Sequence, residues 1–363
     1  MRVLLILCAF AAARAEQSPA ERLIEAGHWK RARAMVEARL RETPGDALSN
    51  FLLSQIRGAF GDRSAPLALA EKAVALDGRT AKYHRQVAEV LGVTAQHAGA
   101  FQLLLLGRRF RKEIDAALSC DPQDLQALRD LMEFYLLAPG ITGGDQRKAV
   151  EVAGQIARID AVEGLLARAR IAEFRKEIAA KESLLRQAAE AQPPKYKARI
   201  ALARFYLKGG HANLNAAEAQ AKTAMNLDSG RVEAYAVLAA IYADRAEWSD
   251  LDSTLAVALR EVTDDPVPHY RAAERLLTAG RDPVRAERYL RVYLAQEPEG
   301  NQPSAAEARW KLGLALEAQG RAADALAEFR ESMRLDPESK STQELRRLRI
   351  ARPAVASNSA GPI

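Results

Sequence analysis

The chain has 363 residues, of which 48% are hydrophobic and only 6% aromatic, with 53 basic and 47 acidic groups and a net charge of +6. That composition supports a sizeable buried core and excludes a disordered chain, and its wealth of Ala, Leu, Arg and Glu favours helix. So small a positive excess over so long a chain is no electrostatic footprint for nucleic acid, and no nucleic-acid partner is expected.

The first element is residues 1–15, MRVLLILCAFAAARA. Arg2, an apolar run from Val3 to Ala13 and a closing Ala13-Arg14-Ala15 read as a secretory signal peptide cut before Glu16. A buried N-terminal helix is the alternative. The run is too short to span a bilayer, and Leu5-Ile6-Leu7 before Cys8 is unlike a lipoprotein cleavage box. The expectation is an exported protein, periplasmic or secreted. Cleavage would remove Arg2, Arg14 and Cys8, lowering the net charge from +6 to +4 and leaving Cys120 as the one cysteine. A disulfide framework is then excluded, and a lone thiol in an oxidising compartment is expected to be buried in its helix.

From residue 18 onward one block recurs, A-x-x-x-ψ-x-x-A-ψ-x-x-x-P with ψ apolar. It begins with Ala32, Val36, Leu40 and Pro44, continues through AEKAVALDG (70–78), IDAALSCDP (114–122) and AKTAMNLDS (221–229), and returns as Ala286, Leu290, Tyr293, Leu294, Pro298 and as Ala325, Phe329, Ser332, Met333, Pro337. Spacings of three and four place the apolar residues on one helix face, and the closing Asp-Pro, Asp-Gly or Asp-Ser stops the helix. A second block precedes it, as in Leu238-Ala239-x-x-Tyr242 and Leu312-Gly313-x-x-Leu316, whose small residue lets two helices approach closely. The unit is helix, turn, helix, turn. Its closing positions are Pro44, Gly78, Pro122, Ala161, Pro193, Ser229, Thr263, Pro298 and Pro337, spaced by 34, 44, 39, 32, 36, 34, 35 and 39 residues.

This pattern resembles the tetratricopeptide repeat over residues 18–340, most clearly in the repeats ending at Pro44, Gly78, Thr263, Pro298 and Pro337. The family's usual first-helix Trp is missing: Arg309 holds its place and Trp310 follows. The resemblance implies an all-α, right-handed superhelical solenoid of about nine helix-turn-helix pairs across residues 16–340. Lengthened or irregular repeats are expected at 80–122, 125–161 and 162–193, the last with an irregular first helix. Residues 341–363 read as a short basic cap, including Arg346, Arg347, Arg349 and Arg352, and a disordered tail. Nine pairs would exceed one superhelical turn. Family geometry points groove position five inward, which here implies Phe51, Arg129, Tyr270 and Trp310, with Arg85 and Ile200 beside them and Gln55, Glu133, Glu274 and Leu314 as neighbours. Packing of Phe51 and Trp310 against the next repeat is the competing reading. The Lys/Asn pair with which some family members clamp a terminal carboxylate is not found.

Three local features remain. APGITGGDQRKA (138–149) falls between the two helices of the fourth repeat: Pro139 stops the first helix, Gly143-Gly144 reverse the chain and Asp145 caps the second. It lacks the Lys-Ser/Thr of a phosphate loop, although Arg147, Lys148 and a helix start leave a weaker anion-binding reading open. GRRFRKEID (107–115) is a solvated helix face or, through Arg108, Arg109, Arg111 and Lys112, a contact for anionic lipid or polysaccharide. His28, His84, His97, His211 and His269 have no ligand spacing, so no metal and no cofactor are expected. With no catalytic constellation in view, the sequence reads as a non-enzymatic scaffold of the periplasm or envelope, binding a protein or peptide in its concave groove. The alternative is an adaptor held to anionic lipid or polysaccharide by its basic stretches.

Overall fold

The computed structural model describes residues 17–96, 98–208 and 213–350. The expected signal peptide (1–15) and the end of the expected disordered tail (351–363) lie outside them, as do His97 and His211. Among the described residues are nineteen α-helices, one short 3-10 turn and no strand. Eighteen helices form nine consecutive antiparallel pairs: α1 (Pro19–Ala26) with α2 (Trp29–Glu42), α3 (Ala47–Ala59) with α4 (Pro66–Leu76), α5 (Ala81–Ala95) with α6 (Ala100–Cys120), α7 (Leu125–Leu137) with α8 (Gln146–Ile159), and α9 (Ala161–Phe174) with α10 (Ile178–Glu190). There follow α11 (Tyr196–Tyr206) with α12 (Leu214–Leu227), α13 (Val232–Arg245) with α14 (Trp248–Glu261), α15 (Val267–Thr278) with α16 (Pro283–Leu294), and α17 (Ala305–Ala318) with α18 (Ala322–Leu335); α19 (Ser341–Ile350) ends the array. This is a tetratricopeptide-like solenoid.

The helices begin where the sequence supplies an acceptor. Ser18 and Glu21 exchange side-chain and backbone hydrogen bonds at the start of α1, and Asp46, Asp124, Asp145, Asp160 and Asn213 accept backbone N–H groups at the starts of α3, α7, α8, α9 and α12. Gly27 closes α1 at φ +94°, a conformation that costs glycine nothing.

The recurring block forms the core. Ala325, Phe329 and Ser332 are fully buried, as are Ala286, Leu290 and Tyr293. Met333 is 38% exposed, because it stands about 80° round the helix from Ala325, at the edge of the stripe. Two hydroxyls are absorbed inside: Ser332 Oγ donates to the Ala306 carbonyl (2.7 Å) and Tyr293 to that of Pro303 (2.6 Å). Gly313 is the close approach read from the sequence; a Cβ there would lie 2.4 Å from the Phe329 ring. The fifth pair corrects an expectation. Its first helix, α9, is continuous, and its apolar residues are spread around it because Val162, Ala167, Ala169, Ile171 and Ala172 are all buried, which blurs a single-face pattern. Cys120 is a second correction: it is exposed at the end of α6. Ile114 and Ala117 take the core positions there, and Cys120 lies about 120° from Ile114 and about 60° from Ala117.

The array closes on itself. The first pair meets the turns that end the seventh and eighth pairs, more than 200 residues away. His28 and Arg31 both reach Asp264 (3.0 and 2.9 Å). Arg33 makes a two-pronged pair with Glu297 (3.0 and 2.5 Å), and Lys30 Nζ donates to the Glu297 carbonyl (2.7 Å). Asn301 N–H donates to the Ala59 carbonyl (2.8 Å). Gly300 lies so close to Trp29 that a Cβ would come within 2.8 Å of the indole. Helix α2 has no side-chain cap of its own at His28. Instead the buried Glu299 accepts the Lys30 N–H (3.0 Å) and serves as a cap from 269 residues away.

Two tests follow. Gly313→Ala drives a methyl into a fully packed ring and is expected to cost about 1–3 kcal/mol in chemical denaturation; an unchanged midpoint would refute the close approach. The seam also carries a pH dependence. Burial pushes the Glu299 carboxyl up to about 7, against Lys30 and with Asp264 and Asp265 facing it, and pushes Asp265 up to about 6. A carboxyl raised in the folded state stabilises it fully below its unfolded pKa, and that contribution is lost as pH rises through the folded value. The contribution of Glu299 should therefore fall between pH 5 and about 7, and Glu299→Gln should flatten the wild-type slope of melting temperature over that window. Identical slopes would show that Glu299 is ionised in the seam.

Candidate binding surface

First helices of successive pairs touch one another from α3 to α9 and from α11 to α17, whereas second helices meet one another no more than glancingly among the described residues. Elements on the inside of an arc are the ones drawn together, so the first helices form the inner wall. Ionic contacts one repeat apart run along it. Glu163 on α9 receives Arg129 from α7 (2.7 Å) and Lys197 from α11 (2.9 Å), Arg170 grips Glu133 (2.7 and 2.9 Å), Arg275 grips Asp244 (2.5 Å), and Lys311 reaches Glu274 (3.2 Å).

The structure redistributes the six expected groove residues. Phe51, Ile200 and Tyr270 are buried and do not face the groove. Phe51 packs on Tyr83 (ring centroids 5.3 Å apart), Ile200 joins Ala224 and Ala234, and Tyr270 packs on Tyr293 while its hydroxyl donates to Glu307 (2.7 Å). The reason is a single helical step. In α15 the polar contacts fall to Arg271, Glu274 and Arg275, next to the buried ring. Arg85 and Arg129 are half-buried and engaged, with Asp124 (3.7 Å) and Glu163 respectively. Trp310 is partly buried, with Lys311 and Lys340 over its ring at 5.1 and 4.8 Å and its indole N–H unpaired.

The basic stretch divides in two. Arg109 pairs with Glu71, and Arg111 with Asp115 (2.9 Å) and the Tyr135 hydroxyl. Arg108 and Lys112 are exposed without a partner. They continue an outward stripe begun by Phe101 and Leu105, which are 78% and 51% exposed. In the 139–145 loop Gly143 adopts φ +106°, and the Asp145 carboxylate accepts the Arg147 and Lys148 N–H groups (2.9 and 3.4 Å). Two of the helix-start amides that an anion would use are thus already taken by the chain's own carboxylate.

Sequence reasoning missed a cavity of about 360 Å³ at the end of the inner wall near the seam. Trp29, Ala59, Pro66, Val90 and Val93 supply apolar walls, Gln55, Gln86 and Glu89 supply polar groups, and Asn301 of the seam turn closes it. Desolvation by the surrounding walls raises the Glu89 carboxyl above its usual range, Arg85 opposing, although the residue keeps contact with solvent. Asp130 nearby is pushed up to about 7 by burial, with Arg85 opposing and Glu89 adding to the rise. His84 bonds Glu113 (2.8 Å), and His269 is buried, which lowers its pKa to about 4. Among the described residues no three His, Cys, Asp or Glu side chains could share a metal ion.

Glu163 is the node of the wall, so Glu163→Gln weakens two cross-repeat pairs and should cost about 1–2 kcal/mol in urea denaturation. Glu151→Gln, at an exposed and unpaired position on α8, is the control; equal effects would show that the ladder adds nothing.

No family model and no curated protein matches the chain. Among solved structures, yeast Tom70 aligns with 92% of this chain and 88% of its own at 12% identity and a TM-score of 0.48. Human IFIT1, solved as a dimer with m7Gppp-AAAA, aligns over 91% and 81% at 13% identity and a TM-score of 0.46. MamA aligns over 48% of this chain and 95% of its own at 13% identity and a TM-score of 0.33.

Proposed function

We propose that the chain is a non-catalytic scaffold that binds a protein or peptide along the inner wall of its solenoid. The observation that carries this reading is a set of polar groups on that wall which nothing in the chain satisfies. Gln86 Oε1 and Asp130 Oδ2 are buried without a hydrogen bond, and Glu89 beside them is solvent-exposed with no ion pair among the described residues. The two buried atoms are costly until a partner supplies donors. The wall's arginines argue against a nucleic-acid ligand, since Arg129, Arg170 and Arg275 are spent on carboxylates. A place in the periplasm or envelope rests on residues 1–15. The test is affinity capture from an envelope extract, comparing the wild type with a Gln55/Glu133/Glu274 triple-alanine variant whose circular dichroism melt is checked. Retention in high salt of a discrete protein that the variant loses is expected. Equal retention by both would refute binding at the wall.

A second reading is favoured by one observation, the exposed stripe Phe101–Leu105–Arg108–Lys112 on α6. Apolar tips followed by free cations suit the surface of an anionic bilayer. Co-sedimentation with vesicles containing an anionic phospholipid, lost in Phe101→Ser/Leu105→Ser and weakened by salt, would support it. The same sedimentation by wild type and variant would reject it.

A further inference from the structure

We propose that the cavity between α3, α5 and the seam turn is a pocket for an alkylammonium or guanidinium group, presented by a lysine or arginine side chain of the partner. This rests on the reading of the inner wall as a peptide-binding surface, and it names the chemistry recognised at one place on it.

The floor of the pocket consists of acceptors with fixed orientation. Ser54 Oγ donates its one proton to the Pro66 carbonyl (2.8 Å). It therefore only accepts from Gln86, whose Nε2 lies 3.2 Å away. That arrangement fixes the Gln86 amide and leaves Oε1 as its free end. Gln86 is only 3% exposed, lines the cavity, and has no donor for that oxygen. One helical turn further along α5, the Glu89 carboxylate lines the same cavity. Its near cation, Arg85, already points at Asp124. Behind the lining, Asp130 on α7 carries a buried carboxylate oxygen without a hydrogen bond and adds negative charge near Glu89.

A ligand for this floor must bring donors and positive charge. The walls specify the rest. Val90, Val93, Pro66 and Ala59 contact an aliphatic stem, and Trp29 offers an aromatic face that attracts a cation. A carboxylate ligand would face Glu89 unpaired, and a purely apolar one would leave Gln86 Oε1 without a donor. One cation of the chain competes for the site: Arg63 lies at the rim, exposed and without a partner among the described residues.

The experiment uses the full chain and saturation-transfer NMR with n-butylammonium, n-butanol and n-butyrate, which share a stem and differ in charge. Butylammonium is expected to bind about tenfold or more tightly than butanol, with butyrate not binding. Glu89→Gln should erase that preference and Gln86→Leu reduce it, while Arg63→Ala should strengthen binding; all three variants should melt as the wild type does. Equal binding of butanol and butylammonium, or an unchanged preference in Glu89→Gln, would overturn the proposal. A second arm compares acetyl-Ala-Lys-Ala-amide with its norleucine analogue. Selective binding of the lysine peptide assigns the pocket to a partner's side chain, whereas binding of butylammonium alone would overturn that assignment in favour of a free amine. The scaffold reading is tested separately. If capture of a protein survives Glu89→Gln but is lost in the Gln55/Glu133/Glu274 variant, the scaffold stands and the pocket does not.

Discussion

One helix pair of this chain cannot bury its own apolar stripe, and everything else in the structure follows from that constraint. The stripe is covered by the next pair, and the approach is close because the residues at the contacts are small: Ala32, Ala73, Ala117, Ala153, Ala286 and Ala325 are all fully buried. Between pairs even alanine can be too large, as at Gly164 of α9, where a Cβ would come within 2.3 Å of Ala157 on α8. Stacking is therefore compulsory, and each pair inherits its orientation from the one before. The curvature that results gathers the first helices on an inner wall and leaves the second helices outside.

Curvature continued over enough pairs brings distant parts of the chain together. The first pair rests on the turns after the seventh and eighth, and the contact has the chemistry of a specific interface: buried Glu299 capping α2, Asp264 shared by His28 and Arg31, and Arg33 paired with Glu297. A solenoid whose ends are free can flex along its length. This one is tied across its coil, and the tie has a functional corollary, because Trp29 and Asn301, both in the seam, also line the cavity that holds Gln86 and Glu89. The pocket belongs to the closed coil rather than to any one repeat.

The repeat was legible because each of its signals is local. Small and large residues at spacings of three and four, aspartates at helix starts and Pro or Gly at helix ends all act within one turn, and the pairs fall where those signals place them. The site was less legible for two reasons. Position five misleads here by one helical step, which buries Phe51, Ile200 and Tyr270 and brings forward residues such as Arg271 and Arg275. The cavity and the seam join residues separated by more than 200 positions, and no local pattern encodes such a meeting. Nor does the start of α2 stand out, since it opens at His28 with no capping side chain as several other helices do. A helix start that lacks its own acceptor asks what else supplies one, and here the answer is Glu299.

Closure of the coil is the claim on which the inner wall and its pocket depend, and two backbone amides report on it directly. Lys30 N–H and Asn301 N–H each donate across the seam, to Glu299 and to the Ala59 carbonyl. Amide hydrogen exchange at these two positions is the measurement to make. The account predicts that both are protected in the wild type and that both lose protection together in an Arg33→Ala/Glu297→Ala variant that keeps its helix content. Exchange of both amides at the free-peptide rate in the wild type would mean that the coil is open in solution, and the seam and the pocket built against it would have to be abandoned.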